Sequence, residues 1–188
     1  IYSKVVFTEA KKKYAGITID GILDIVGLEA VRGDWCRYAK EMQKSLIEKL
    51  LKGEGRSSLI DFVRDRVAKL RSRQVDLSSL IIWKQLAKKL EDYEVNAPHV
   101  VVAHALREDG WTVDKGDYIG FVVTKGTGPI YTRAKHYSKT SLSEVDLEYY
   151  VEKQLIPVCA RILEAIGVRE KDIEKLIKSA GRGLESFF

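Results

Sequence analysis

Only two cysteines and three prolines occur in the 188 residues. Cys36 and Cys159 lie far apart, with no Cys or His companion at metal-ligand spacing. That excludes a disulfide scaffold and a structural zinc site and leaves reduced, buried thiols. The scarcity of proline, with 9% aromatic and 45% hydrophobic residues, excludes general disorder. No apolar run nears the roughly 20 residues of a membrane-crossing helix, so no membrane partner is expected. The opening Ile1-Tyr2-Ser3-Lys4 has neither an initiator Met nor an apolar signal core. The expectation is a chain without a secretion signal that starts partway into a longer product and works in the cytoplasm. Its length suits one sizeable domain or two small ones.

Charge is plentiful. Lys and Arg total 32 against 27 Asp and Glu, a formal +5. The distribution says more than the sum. Residues 64–73 hold five bases and one acid, and so do residues 115–139. Acids gather at Glu144, Asp146, Glu148 and Glu152. A basic surface facing a polyanion fits this segregation, and solvated helix faces fit each cluster taken alone.

The first thirty residues read as strands: Val5 to Thr8, Tyr14 to Ile19 closing on the hairpin pair Asp20-Gly21, and Ile22 to Val26. The period then changes. Asp34 is positioned to cap a helix carrying Trp35, Ala39, Met42, Leu46 and Leu50, and Gly53 and Gly55 stop it. A second helix is expected from Ser58, with Asp61 as a capping-box partner and Leu59, Phe62, Val63, Val67 and Leu70 inward. The run Leu80 to Trp83 is too short for periodicity to assign. Pro98 reads as the first residue of a helix ending before Gly110. Tyr118 to Thr124 reads as a buried strand entering the turn Lys125-Gly126-Thr127-Gly128-Pro129. A last long helix is expected from Asp146 to Ile166, kinked at Pro157 and capped by Gly167. The fold class is α+β: a small antiparallel β element, then a mainly helical body with a short β insertion and a boundary near residue 33.

No catalytic constellation stands out. His99, His104 and His136 accompany no Gly-x-Ser-x-Gly nucleophile motif, and His99 and His104 are five apart rather than the four that share a helical face. Gly126-Thr127-Gly128 is too short for a Walker-type or dinucleotide-binding loop. No Asp-x-Asp pair exists to build a two-metal site. Three segments point to binding instead. Lys11-Lys12-Lys13-Tyr14 places cations and a phenol at a hairpin mouth, with Lys12 and Tyr14 expected on one strand face; an exposed charged strand end accounts for the same residues. The turn at Lys125 and Gly126, with Arg133, offers amides and cations to phosphates, or is an ordinary hairpin connection. In the tail, Leu184, Phe187 and Phe188 form a one-turn apolar plug for a partner's pocket or for the chain's own core.

These motifs occur in an order that resembles archaeal family B DNA polymerases. Lys11 to Gly16 and Gly27-Leu28-Glu29-Ala30-Val31-Arg32-Gly33-Asp34-Trp35 look like the end of the family's palm. Asp92-Tyr93, Pro98-His99-Val100-Val101-Val102-Ala103, Gly116 to Val123, Lys125 to Ile130 with Arg133-Ala134, and Tyr149 to Pro157 look like its thumb. The likeness covers essentially the whole chain.

The resemblance implies three parts: residues 1–33 as palm end, 34–178 as thumb, and 179–188 as a sliding-clamp-binding tail. It implies DNA contacts from Lys11, Lys12, Lys13, Tyr14, Arg32, His99, Lys125, Gly126 and Arg133, and clamp contacts from Leu184, Phe187 and Phe188. Gly33 stands where the family usually has a second arginine, and Gly181 where its clamp box usually has Gln. The metal-binding Asp-Thr-Asp motif is not in this sequence, so no catalytic or metal residue is assigned to this chain, and Mg2+ is expected in a partner's active site. Expected partners are a large chain with exonuclease, fingers and catalytic palm, primer–template DNA, and a ring-shaped clamp, in a nucleoid-associated setting. Either a natural small subunit of a split polymerase or a piece of a longer one fits. The contrasting reading is a non-enzymatic DNA-binding or clamp-adaptor protein with a thumb-like domain.

Overall fold

β-Prone residues on either side of Asp20-Gly21 fold back on themselves as the sequence predicts. A computed structural model describes residues 1–8 and 11–179. Its first three strands, β1 (Tyr2–Phe7), β2 (Tyr14–Thr18) and β3 (Leu23–Val26), form an antiparallel meander in chain order. Val5 lies opposite Gly16, and Gly16 opposite Asp24. Gly21 takes φ +81° in the second turn, where its N–H donates to Thr18 O at 2.9 Å. A 3₁₀ turn, Glu29–Val31, then leads to the helices.

Helices α1 (Arg37–Leu51) and α2 (Arg56–Arg71) pack as an antiparallel pair through the expected stripes. Ala39, Met42 and Leu46 are fully buried, as are Leu59, Val67 and Leu70. Both expected caps are corrected. Cys36 precedes α1, while Asp34 pairs with Arg32 at 2.9 Å. Gly55 precedes α2; the Ser58 hydroxyl donates to Glu54 at 2.6 Å, and Asp61 faces Arg64. In each case a nearby charged group takes the side chain that a free helix end would have used.

The single turn α3 (Leu77–Leu80) settles the unassigned apolar run and leads to β4 (Ile82–Gln85). After α4 (Pro98–Glu108), β5 (Tyr118–Val123), the turn α5 (Ile130–Arg133) and β6 (Ala134–His136) complete a second antiparallel sheet of order β4-β5-β6. Ile82 lies opposite Phe121, and Phe121 opposite His136.

The long helix comes in pieces: α6 (Leu147–Tyr150), a π-helical turn Val151–Leu155, and α7 (Ile156–Leu163). Pro157 brings no N–H and crowds the preceding turn, and the helix widens there, with Ile156 N–H reaching Val151 O. Gly167 ends it at φ +78°. A further helix, α8 (Glu170–Ser179), packs on α2 and α7 through the buried Ile173 and Ile177. One apolar cluster runs from Ala15 and Leu28 through Leu46, Leu80, Tyr150 and Ile162 to Ile177. Both cysteines are buried and unpaired, and burial pushes the Cys36 thiol up to about 12. Among the described residues no helix is long and apolar enough to cross a membrane.

Candidate nucleic-acid interface

The turn between β1 and β2 carries the lysine run. Lys11 and Lys12 are exposed there, and Lys12 adopts φ +60°. β2 begins at Tyr14, so strand alternation does not operate at Lys12; the expected shared face with Tyr14 is replaced by a turn whose tip presents Lys11 and Lys12. Gly27, at φ +68°, backs this turn: a Cβ there would lie 2.5 Å from the Lys12 carbonyl oxygen. Thr8 closes it, donating through its N–H and its hydroxyl to Lys13 O at 3.2 and 3.1 Å. The Tyr14 ring is half-buried between Tyr2 and Phe7, with centroids 6.1 and 5.9 Å away. Tyr2 donates its hydroxyl to Asp24, which raises its pKa above the ordinary tyrosine value.

Lys13 points the other way. Its ammonium lies 3.1 Å from Glu29 Oε1, and the Glu29 side chain is 3% exposed. Gln43 of α1 completes the joint: Nε2 donates to Glu29 Oε2 at 2.9 Å and to Val158 O at 3.1 Å, and Oε1 accepts from Ala30 N–H at 2.7 Å. Arg161 of α7 stands 3.6 Å from the same carboxylate. Burial pushes Glu29 up, but hydrogen bonds from Gln43 and Lys13 outweigh it and hold the carboxyl below its ordinary range. Nearby, Gln154 accepts from Cys36 N–H at 2.9 Å. The β element is therefore fixed to the helices by a hydrogen-bonded polar network around Glu29 and Gln43 as well as by apolar contact, with Arg161 Nε buried beside it without a hydrogen-bond partner.

The second turn is braced from within. Gly126 takes φ +147°, and a Cβ there would stand 3.2 Å from Arg133 Cδ. Arg133 is 15% exposed and donates to Asp146 at 2.6 Å and to Thr124 O at 3.2 Å. Lys125 donates to Ser143 O at 2.8 Å. Its chain remains exposed, so it can release that carbonyl for a phosphate at little cost, whereas Arg133 cannot leave Asp146 so freely. His99 is half-buried at the start of α4, edge-on to Tyr93 at 5.9 Å. Burial, then the charge of Lys84, lowers its pKa below 6.5, which leaves the ring neutral at pH 7.

Acids and bases that are segregated in sequence meet in space. Glu144 reaches Lys135 at 3.0 Å, Asp146 reaches Arg133, and Glu148 reaches Arg71 at 2.7 Å. Lys69 pairs with Asp65, and Lys139 with Asp109. The two basic runs are thus largely internal ion pairs. Lys11, Lys12 and Lys84 have no ion-pair partner among the described residues. Lys84, with Lys88 lying 5.1 Å over the Tyr93 ring, escaped the sequence reading because both follow the apolar run that periodicity could not assign. Leu184, Phe187 and Phe188 lie outside the described residues. Among the described residues no group of three or more His, Cys, Asp or Glu gathers to hold a metal ion.

This α+β body has a solved counterpart in a polymerase. The chain belongs to DNA polymerase family B, whose model matches residues 1–166. It is 49% identical to DNA polymerase 2 of Aeropyrum pernix, a match covering 93% of this chain and 22% of that protein. It is 36% identical to a DNA polymerase of Archaeoglobus fulgidus, covering 100% of this chain and 26% of the relative. The structure of the family B DNA polymerase from Pyrobaculum calidifontis superposes with a TM-score of 0.76 at 43% identity, covering 89% of this chain and 22% of that one. The chain spans about a fifth to a quarter of the length of these relatives.

Proposed function

We propose that this chain is the palm-end and thumb part of a DNA-directed DNA polymerase and holds primer–template duplex during synthesis. The observation that carries the reading is the family match across residues 1–166, with Lys11 and Lys12 presented at a braced turn. Lys11, Lys12 and Lys125 contact phosphates or groove acceptors, and Tyr14, held between Tyr2 and Phe7, offers its hydroxyl to the same strand. His99 meets the strand as a neutral hydrogen-bonding ring. Lys13, Gly126 and Arg133 act largely by holding the turns that carry these contacts, while Arg32, paired with Asp34 in the linker, meets the strand apart from both turns.

Metal-binding carboxylates, Mg2+, the nucleotide site, the fingers and proofreading then belong to the rest of the polymerase, either a large partner chain or the remainder of one longer chain. The first sheet supports such a partner: Ile1, Phe7, Ile19 and Ile22 are 64–96% exposed, and β1 and β3 leave strand edges unpaired among the described residues. This chain's own contribution is positioning. In phosphoryl transfer, alignment and electrostatics supply most of the catalysis, so a loosely held primer end costs rate directly. Leu184, Phe187 and Phe188 supply a sliding-clamp contact.

Primer extension by this chain, by the large chain, and by both together tests the reading, with synthesis expected to need both. Robust synthesis by this chain alone would overturn the division of roles. A stable monomer that binds DNA without any co-purifying polymerase chain would favour the adaptor instead. Deleting residues 184–188 should abolish clamp-stimulated processivity and spare distributive synthesis.

A further inference from the structure

Strand β4 is an edge strand, and beside it the linker Arg32 to Asp34 leaves an open groove of about 390 Å³. Its aromatic walls are Trp83, 40% exposed, and Tyr118, 62% exposed. Trp83 is fixed in place. Its six-membered ring crosses Gly120, where a Cβ would lie 2.8 Å from Cη2 and Cζ3, and it packs on Tyr137 at 5.5 Å between centroids. The groove's acid, Asp34, is engaged by Arg32 at 2.9 Å. Lys84 follows Trp83 in β4 and pairs with the buried Ile119, so its side chain leaves on the other face of the strand. Gly33 opposite leaves space, since a Cβ there meets nothing within 4 Å.

We propose that this groove binds an unpaired nucleotide of a DNA strand, with Trp83 and Tyr118 taking the base and Arg32 its phosphate. A rigid, half-exposed indole beside the partly exposed Arg32 guanidinium matches a single strand, whose bases are free to stack. A base inside a duplex offers no face to such a ring. The groove lies at the joint between the first sheet and the thumb, where a strand end frayed from a held duplex can reach it. The proposal rests on the duplex-holding reading and adds a single-strand site to it.

Fluorescein-labelled oligothymidylate and a blunt duplex of equal length, each titrated against the 188-residue chain, separate the two ideas. Trp83→Ala should weaken oligothymidylate binding about tenfold, the scale of one lost base–aromatic stack, and leave the duplex nearly unchanged. Trp83→Phe, which keeps a ring over Gly120, should restore binding to within about threefold of wild type. Tyr118→Ala, at an exposed position that does not endanger folding, should cost about threefold. Arg32→Ala should flatten the salt dependence of oligothymidylate binding by about one unit of slope, and Lys84→Ala should not. Equal oligothymidylate affinity in wild type and both alanine ring variants overturns the proposal, as does a Trp83→Ala loss of equal size on both ligands. Duplex binding without oligothymidylate binding removes the groove site alone. Binding of neither removes the duplex-holding reading with it.

Discussion

The two sheets have the same strand count and the same antiparallel order, yet they are finished differently. β5 buries five of its six residues, and Val122 and Val123 are fully enclosed. In the first sheet Ala15 and Gly16 are the buried strand residues, and Phe7 stands 71% exposed. The second sheet is built into the common core through nearly the whole of β5. The first borrows cover from α1, and beside it a polar joint of Lys13, Glu29, Gln43 and Arg161 fixes its orientation. Apolar contact is non-directional and tolerates sliding. A buried hydrogen-bonded network does not, because a displaced hydrogen bond leaves a polar group unpaired at a cost of about 1–3 kcal/mol. A hairpin that must present lysines at a set place gains definition from such a joint.

The largest test of this contrast is in the cores. Phe121→Ala in β5 should destabilise the chain by about 3–5 kcal/mol in chemical denaturation, as large-to-small core substitutions do. Phe7→Ala in β1 should stay within about 0.5 kcal/mol, because its ring already faces solvent, while weakening association with a large polymerase chain. Similar losses for both would mean that the first sheet is built into the core as fully as the second.

The joint comes next. Glu29→Gln should cost about 2 kcal/mol, the scale of hydrogen bonds to a charged group. The pH dependence follows from the direction of the shift. The folded carboxyl sits below its ordinary value of 4.5, so its stabilisation is complete above that pH and is lost as pH falls through the folded value. Wild type should therefore lose stability more steeply than Glu29→Gln below pH 4.5. Parallel acid limbs in thermal melts would show that Glu29 does not supply the difference.

How far the sequence foretold these regions follows from what each depends on. The helical stripes were legible because Leu46, Leu59 and Leu70 recur at helical spacing and are buried for that reason. The caps at Asp34 and Ser58 were misread because a cap competes with neighbouring charges, and Arg32 and Glu54 took those side chains. Helix α8 went unread although Ile173 and Ile177 stand four apart, since a short apolar pair among charges reads equally as a solvated tail. The family was legible from ordered motifs. The joint was not, because nothing in local spacing shows that Lys13, Glu29, Gln43 and Arg161 converge. Nor does spacing show that Glu144, Asp146 and Glu148 neutralise bases far away in the chain.

A smaller effect is expected behind the turn. Gly27→Ala places a side chain at φ +68° and a Cβ 2.5 Å from the Lys12 carbonyl. It should destabilise the chain by more than about 1 kcal/mol and also weaken duplex binding by shifting the turn. Gly21→Ala is the control: its φ is +81°, yet a Cβ there meets nothing within 4 Å. It should carry the backbone cost and leave duplex binding unchanged. Equal binding losses in the two variants would separate the turn's position from Gly27.

The smallest effect on stability, and the most direct on function, is expected at the turn's tip. Lys12 is exposed and has no ion-pair partner among the described residues, so Lys12→Ala should leave the denaturation midpoint unchanged. If its ammonium neutralises a phosphate, duplex affinity falls and the slope of log affinity against log salt flattens by about one unit. Arg133→Ala should behave in the opposite way. Its guanidinium is spent on Asp146 and Thr124 O, so the variant loses stability first, and its salt slope moves less than that of Lys12→Ala. The pair of slopes decides between a cation that touches DNA and one that holds the protein that touches it. An unchanged slope in Lys12→Ala, with a full unit lost in Arg133→Ala, would move the phosphate contact from the hairpin to the thumb turn and reverse the roles assigned to the two regions.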